Sequence, residues 1–194
     1  MRMEDKVMGD SGVMERLAAD TKIGYSLDRR FYCDDAVFAA DMQRVVGRKW
    51  IVAGHIDRVR HKGDYFLFKI GDESIIIVRS DESTVNAFYN VCRHRGSLIC
   101  TKPQGRVARL TCGYHAWSYG YDGRLNSVPF REKFPGLDLD RTGLVPLEVE
   151  SFLGFVFVRQ QPGGPSVAEM MAPYRAELEL YRFLLTRNHQ TYGA

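Results

Sequence analysis

The apolar positions of this chain change period near residue 47. Ahead of it, Asp34 suits a helix N-cap, and Ala36, Val37, Phe38, Ala40, Met42, Val45 and Val46 then recur at near-helical spacing up to Gly47. That spacing predicts a helix over 35–47. A weaker amphipathic turn or two is expected over 12–20. Beyond Gly47 the apolar residues fall in short β-rich runs at 50–54, 65–70, 74–79 and 85–89. Turn material separates these runs: Lys62-Gly63-Asp64, Gly71-Asp72 and Ser80-Asp81-Glu82. Gly71-Asp72 reads as a tight hairpin turn. Further strands are expected at 107–111, 124–128, 144–149 and 153–159. Pro162-Gly163-Gly164-Pro165 marks a linker, after which Met170, Met171, Leu178, Leu180 and Leu184 return to helical spacing within 167–185. Many short strands with tight turns predict a mainly β fold: an antiparallel β-sandwich of stacked small sheets, with flanking N- and C-terminal helices. The chain divides into an N-terminal helical segment at 1–47, a β domain at 48–161, and a linker with a C-terminal helix at 162–194.

Composition narrows the partners. A chain of 194 residues suits one domain with a helical annex, and 45% hydrophobic and 26% charged residues are ordinary for a globular protein. With 27 basic and 24 acidic residues the net charge is +3, too mild for nucleic acid. Arg29-Arg30 and Arg48-Lys49 read as solvated faces. The first twenty residues interleave Arg2, Glu4, Asp5, Lys6 and Asp10 with apolar positions, so they contain no signal-peptide core. No apolar run approaches the ~18 residues that span a bilayer. A cytoplasmic location is expected, with no membrane or nucleic-acid partner. In that compartment Cys33 and Cys100 stay reduced, and both are expected as small buried residues.

Four residues carry the chemistry. Cys92 and His94 form a C-x-H pair, and Cys112 and His115 a C-x-x-H pair, all within 24 consecutive positions. Two thiolates and two imidazoles brought together from two loops suit a [2Fe–2S] cluster, with the cysteines on one iron and the histidines on the other. Two neutral imidazoles in place of two thiolates raise the reduction potential above that of an all-cysteine cluster. Cys₂His₂ is also a zinc set. Structural zinc sites, however, usually pair cysteine with cysteine at two to four residues and histidine with histidine at three to five. One cysteine and one histidine per loop favours the cluster. Gly96 and Gly113 stand beside these residues, where backbone must approach a cluster closely or take positive φ. Trp117 either covers one side of the cluster or is plain core packing. Tyr114 is a candidate hydrogen-bond partner near a ligand, whereas Tyr119 and Tyr121 read as sheet residues. Arg93 and Arg95 are candidates for docking a reductase or a neighbouring subunit, or are plain surface charge. His55 and His61, with Asp57 between them, suggest a second metal, but H-x₅-H in a β and turn context has no established ligand geometry.

The run Asn90-Val91-Cys92-Arg93-His94-Arg95-Gly96, the run Tyr114-His115-Ala116-Trp117 and the following Asp122-Gly123 resemble the Rieske non-heme iron oxygenases, specifically their α subunits. The resemblance extends upstream through Phe31-Tyr32, Val37-Phe38 and Trp50…Ala53-Gly54-His55, and downstream to 154–158. It covers about residues 25–185. Respiratory Rieske proteins resemble C-T-H-L-G-C and C-P-C-H-G-S, whose extra cysteines form a disulfide. Here Ser97 and Tyr114 stand in those places, so that disulfide cannot form.

The resemblance implies a Rieske-type sandwich at 48–161 and a [2Fe–2S] cluster on Cys92, His94, Cys112 and His115. It implies an electron donor, either a reductase or a ferredoxin, and a homo-oligomeric ring of α subunits. It also implies mononuclear non-heme Fe(II), held by two histidines and a carboxylate in a C-terminal catalytic domain, for O₂-dependent hydroxylation. Only His189 follows the Rieske portion, so that iron is expected in a catalytic domain absent from these residues, of which 162–194 would be the start. Two roles remain open. One is the electron-transfer domain of an oxygenase α subunit; the other is a stand-alone ferredoxin-like carrier without oxygen chemistry. The substrate is not legible, because the resemblance extends to oxygenases of aromatic rings and of quaternary amines alike.

Overall fold

The computed structural model describes residues 24–181 and Ala19. The rest of the turn expected over 12–20, together with Leu184, Leu185 and His189, lies outside the described residues. The chain falls into two compact units, Met1–Lys49 and Trp50–Ala194.

In the first unit, α1 (Arg30–Cys33) is followed by α2 (Asp35–Arg44). Asp34 caps α2 as expected: its carboxylate accepts the amides of Ala36 at 2.8 Å and Val37 at 3.4 Å. The helix stops at Arg44, three residues short of the expected end. The β-branched pair Val45-Val46 leads into Gly47, three weak helix formers in succession, and the chain tightens into a 3₁₀ turn at Val46–Arg48. Cys33 corrects an expectation, since it is exposed rather than buried. It sits at the end of a single-turn helix with no buried residue, and its thiol donates to the carbonyl of Arg29 at 3.3 Å.

The second unit is built from ten antiparallel strands in two sheets. They are β1 (Ile51–His55), β2 (Asp64–Ile70), β3 (Glu73–Arg79), β4 (Val85–Tyr89), β5 (Gln104–Arg106), β6 (Leu110–Thr111), β7 (Ser118–Tyr119), β8 (Leu125–Ser127), β9 (Pro146–Phe152) and β10 (Phe155–Arg159). Seven of them form one sheet in the order β1-β10-β9-β4-β3-β2-β5, and β6-β7-β8 form the other. Ile70 pairs with Glu73, which leaves Gly71-Asp72 as a two-residue hairpin turn. The apolar run Ile75–Val78 in β3 is fully buried on both faces. Successive side chains alternate between faces, and Ile76 and Val78 meet Tyr65, Phe88, Leu110, Tyr119 and Leu125 in a core that also contains Cys92 and Cys112. Each such aliphatic side chain contributes roughly 1.5–3 kcal/mol on burial.

At Gly123 a close approach joins the two sheets. Its φ is +82°, and a Cβ there would lie 2.4 Å from the ring of Phe88 in β4. Several elements differ from expectation, and β5 and β7 lie outside the expected strands. Only the last two residues of 107–111 form β6, because 104–106 pair with β2 and the Val107 amide donates to Gly63. The expected C-terminal helix is broken into α3 (Val167–Met171), a 3₁₀ turn at Ala172–Tyr174, and α4 (Arg175–Leu180). Pro173 has no amide to continue the first helix. Ser166 and Glu169 close a capping box at the start of α3. Among the described residues no helix is long and apolar enough to cross a membrane.

Candidate metal centre

Loop one leaves β4 on the large sheet, and loop two is the hairpin between β6 and β7 on the small one. The two loops share one backbone design. The Cys92 amide donates to Ser97 at 2.8 Å, and the Cys112 amide donates to Trp117 at 2.9 Å. Back across each loop, the Gly96 amide donates to Cys92 at 2.9 Å and the Ala116 amide to Cys112 at 3.0 Å. The residue four beyond each cysteine is left-handed, with φ of 71° at Gly96 and 56° at Ala116. Glycine takes that conformation freely, whereas alanine pays about 1–2 kcal/mol. The equivalent glycine is therefore Gly96 alone. Of the two alternatives expected for Gly113, positive φ is not the one it takes.

These loops bring all four candidate residues together. Cys92 and Cys112 are each 2% exposed, at the edge of the core. Above them the rings of His94 and His115 lie 4.6 Å apart, centre to centre. Trp117 stacks on His94 at 4.7 Å with the planes 6° apart, and Phe134 meets the same imidazole edge-on at 5.8 Å. Trp117 thus packs the core and covers a candidate ligand at once.

The donor chemistry fits a metal. His94 Nδ1 is the buried side-chain nitrogen left without a hydrogen-bond partner among the described residues. Such an atom costs about 1–3 kcal/mol unless something fills its lone pair, and a metal bond does so. Burial, with His115 and Arg95 nearby, holds the His94 imidazole toward its neutral, metal-binding form. Burial pushes the Cys92 thiol up. Burial also works against ionisation of Cys112, but the amides of Tyr114 and His115 outweigh it and bring this thiol below its ordinary value. Two buried thiols and two adjacent imidazoles, one of each from either loop, match the two-and-two donor set of a diiron cluster, and the residues present fit that group.

Two residues that sequence reasoning passed over complete the site. Tyr119 is fully buried, and its hydroxyl lies 3.3 Å from Cys92 Sγ while accepting the Arg93 amide at 3.1 Å. Its phenol is pushed well up by burial and by the Cys92 sulfur. Tyr119 is a strand residue, as expected, yet it is the tyrosine that touches a ligand. Tyr114 is 60% exposed and lays its ring against His115 at 3.8 Å instead. Tyr121 sits in a turn, with its hydroxyl donating to Val107 at 2.6 Å. Asn90, fully buried at the root of loop one, accepts the amides of Ile99 and Cys100 at 3.0 and 2.9 Å. It donates to the Cys100 carbonyl at 2.7 Å and to Ser74 at 3.1 Å. That clamp closes the ten-residue excursion carrying Cys92 and His94. Cys100 is buried as expected, its thiol pushed up to about 11 by burial. His55 caps the 3₁₀ turn Ile56–Val59 by accepting the Asp57 amide, and the His61 amide donates to Asp64.

A domain model described as the Rieske [2Fe–2S] domain matches residues 49–151. The chain belongs to that family. Its Rieske domain is similar to the oxygenase subunit of glycine betaine monooxygenase from Pseudomonas aeruginosa, 36% identical over 81% of this chain and 36% of the relative. It is also similar to biphenyl 2,3-dioxygenase subunit alpha from Rhodococcus jostii, 35% identical over 73% of this chain and 31% of the relative. Among solved structures, the naphthalene 1,2-dioxygenase F352V mutant bound to phenanthrene matches with a TM-score of 0.75 at 30% identity, covering 82% of this chain and 36% of that one. The quaternary ammonium Rieske monooxygenase CntA in complex with gamma-butyrobetaine matches with a TM-score of 0.76 at 29% identity, covering 86% and 48%. The chain spans about a third of the length of the first two relatives. Relatives of this Rieske domain are thus subunits of oxygenases acting on both aromatic and quaternary ammonium compounds.

Proposed function

We propose that residues 48–161 are the electron-transfer domain of a Rieske oxygenase α subunit, with Cys92 and Cys112 on one iron and His94 and His115 on the other. The described helices Arg30–Cys33 and Asp35–Arg44 precede it in the chain, and the relatives extend beyond the part that this chain covers. The observation that carries the ligand assignment is the unpartnered, buried Nδ1 of His94 beside His115, above two buried thiols.

When bound, the cluster supplies one-electron storage between a reductase or ferredoxin and a mononuclear non-heme iron that activates O₂ for hydroxylation. The protein's own residues set the conditions for that storage. The Tyr119 hydroxyl, held by the Arg93 amide, is placed to donate to the Cys92 sulfur and so to offset the negative charge that reduction adds. Trp117 and Phe134 shield the His94 ring from water. The paired turns hold the backbone of both cysteines through matching hydrogen bonds. The assembled α subunits form a ring, and the whole protein resides in the cytoplasm, where its free thiols persist.

An anaerobic redox titration of the iron- and sulfide-reconstituted chain tests this reading. One electron per two irons is expected, with a midpoint between about −150 and +300 mV. A midpoint near −400 mV, the all-cysteine range, would overturn the ligand assignment.

A further inference from the structure

The 39 positions from Ser83 to Tyr121 contain no aspartate or glutamate, although the chain has 24 acidic residues elsewhere. This stretch holds both cysteine-histidine loops and five cations: Arg93, Arg95, Lys102, Arg106 and Arg109. All five are exposed. Arg106 alone is neutralised, by Asp64 at 2.6 Å. Among the described residues the other four have no acidic partner, so their charge faces solvent.

Three of these cations surround an opening. Lys102, Arg106 and Arg109 rim a cavity of about 480 Å³ between the exit of loop one and β6. Ile99, Cys100 and Thr111 also line it, and no carboxylate does. Thr111 is bonded directly to Cys112. A partner seated on this rim would therefore touch backbone that leads straight into loop two, on one side of the candidate cluster.

We propose that the rim formed by Lys102 and Arg109, reinforced by Arg106, docks the acidic face of a protein that donates single electrons. The inference rests on the electron-transfer reading above and adds the partner's charge and its place of contact. The reaction at this surface moves one electron and no atoms: the donor's reduced centre loses one electron, and the cluster held by Cys92, His94, Cys112 and His115 gains it. Opposite charge raises the encounter rate and fixes orientation, and it does so less as salt screens the field. A charge set free of carboxylates for 39 residues, on an otherwise balanced chain, is what such steering needs.

The test is stopped-flow reduction of the reconstituted chain by a pre-reduced, acidic [2Fe–2S] ferredoxin of plant type, followed at low and high salt. Lys102→Glu/Arg109→Glu is expected to slow the second-order rate by roughly 30-fold at low salt and to remove its fall with added salt. Lys69→Glu/Lys133→Glu, the same change of net charge elsewhere, is expected to slow it less than threefold. Binding of oxidised ferredoxin, followed by titration calorimetry, is expected to weaken in step with the first variant only. Equal rates for wild type and Lys102→Glu/Arg109→Glu, or equal slowing by both variants, would overturn the docking surface. Dithionite separates the two layers of the account. Normal reduction of every variant by dithionite supports the electron-transfer reading whichever way the ferredoxin result falls. A wild-type chain that dithionite cannot reduce would overturn that reading and the docking surface with it.

Discussion

At the residue scale, the legible part of the site was the part with unusual chemistry. Cys92, His94, Cys112 and His115 declare themselves because two thiols and two imidazoles at short spacing have few other uses. Tyr119 does not, since it meets Cys92 across 27 positions of sequence and a strand pattern gives a side chain's face but never its partner. Removing that hydroxyl takes a donor from the sulfur, so Tyr119→Phe should keep the cluster but lower its midpoint potential. One hydrogen bond of about 1 kcal/mol corresponds to roughly 40 mV for a single electron. Protein-film voltammetry reads the shift, and an unchanged potential would deny the contact its role. In the sequence Asn90 is only one letter of the motif; its four hydrogen bonds emerge from the fold. Asn90→Ala leaves buried backbone groups of Ile99 and Cys100 unpaired. It should cost about 3 kcal/mol, or roughly 10 °C in Tm by calorimetry.

At the element scale, the long apolar strands β2, β3, β4 and β10 stand almost where their periodicity puts them, and the Gly71-Asp72 hairpin falls on its two residues. Of the short strands, β8 lies inside the expected 124–128 and β6 at the end of 107–111, whereas β5 and β7 were not readable. β5 is Gln-Gly-Arg, with no buried position, and is specified by pairing to β2 rather than by any pattern of its own. Its anchor is the Arg106–Asp64 pair. Burial pushes the Asp64 carboxyl up, but Arg106 and the His61 amide outweigh it and hold the group below its ordinary 3.8. A depressed carboxyl stabilises the fold above its unfolded value, and that contribution disappears as pH falls through the folded one. Asp64→Asn should therefore cost about 1 kcal/mol at pH 7, and its gap from wild type should begin to narrow near pH ~4 and close only as the pH falls through the lower folded value. Urea unfolding at pH 7 and along a series of pH values below ~4 measures both, and a gap independent of pH would assign the effect to packing instead.

At the scale of the whole molecule, the two sheets have to meet for the loops to meet, since loop one hangs from the large sheet and loop two from the small. The mainly β sandwich was legible from the count of short strands; the contact that locks it was not. Asp122-Gly123 read as a family motif, and only the structure shows the Gly123 backbone pressed against Phe88. Gly123→Ala imposes a positive φ on alanine and drives a methyl group into that ring. It should destabilise the protein by about 2–4 kcal/mol and reduce cluster retention on gel filtration. Retention equal to wild type would mean that the loops hold the cluster without the sheet contact. The central claim is that two imidazoles share one iron while two thiolates share the other. Its most direct test is pulsed EPR of the dithionite-reduced chain, reading nitrogen couplings to the cluster. Two strongly coupled imidazole nitrogens, reduced to one in His94→Cys, are the expected result. A paramagnetic cluster with no coupled imidazole nitrogen, or an EPR-silent chain carrying one zinc, would contradict it.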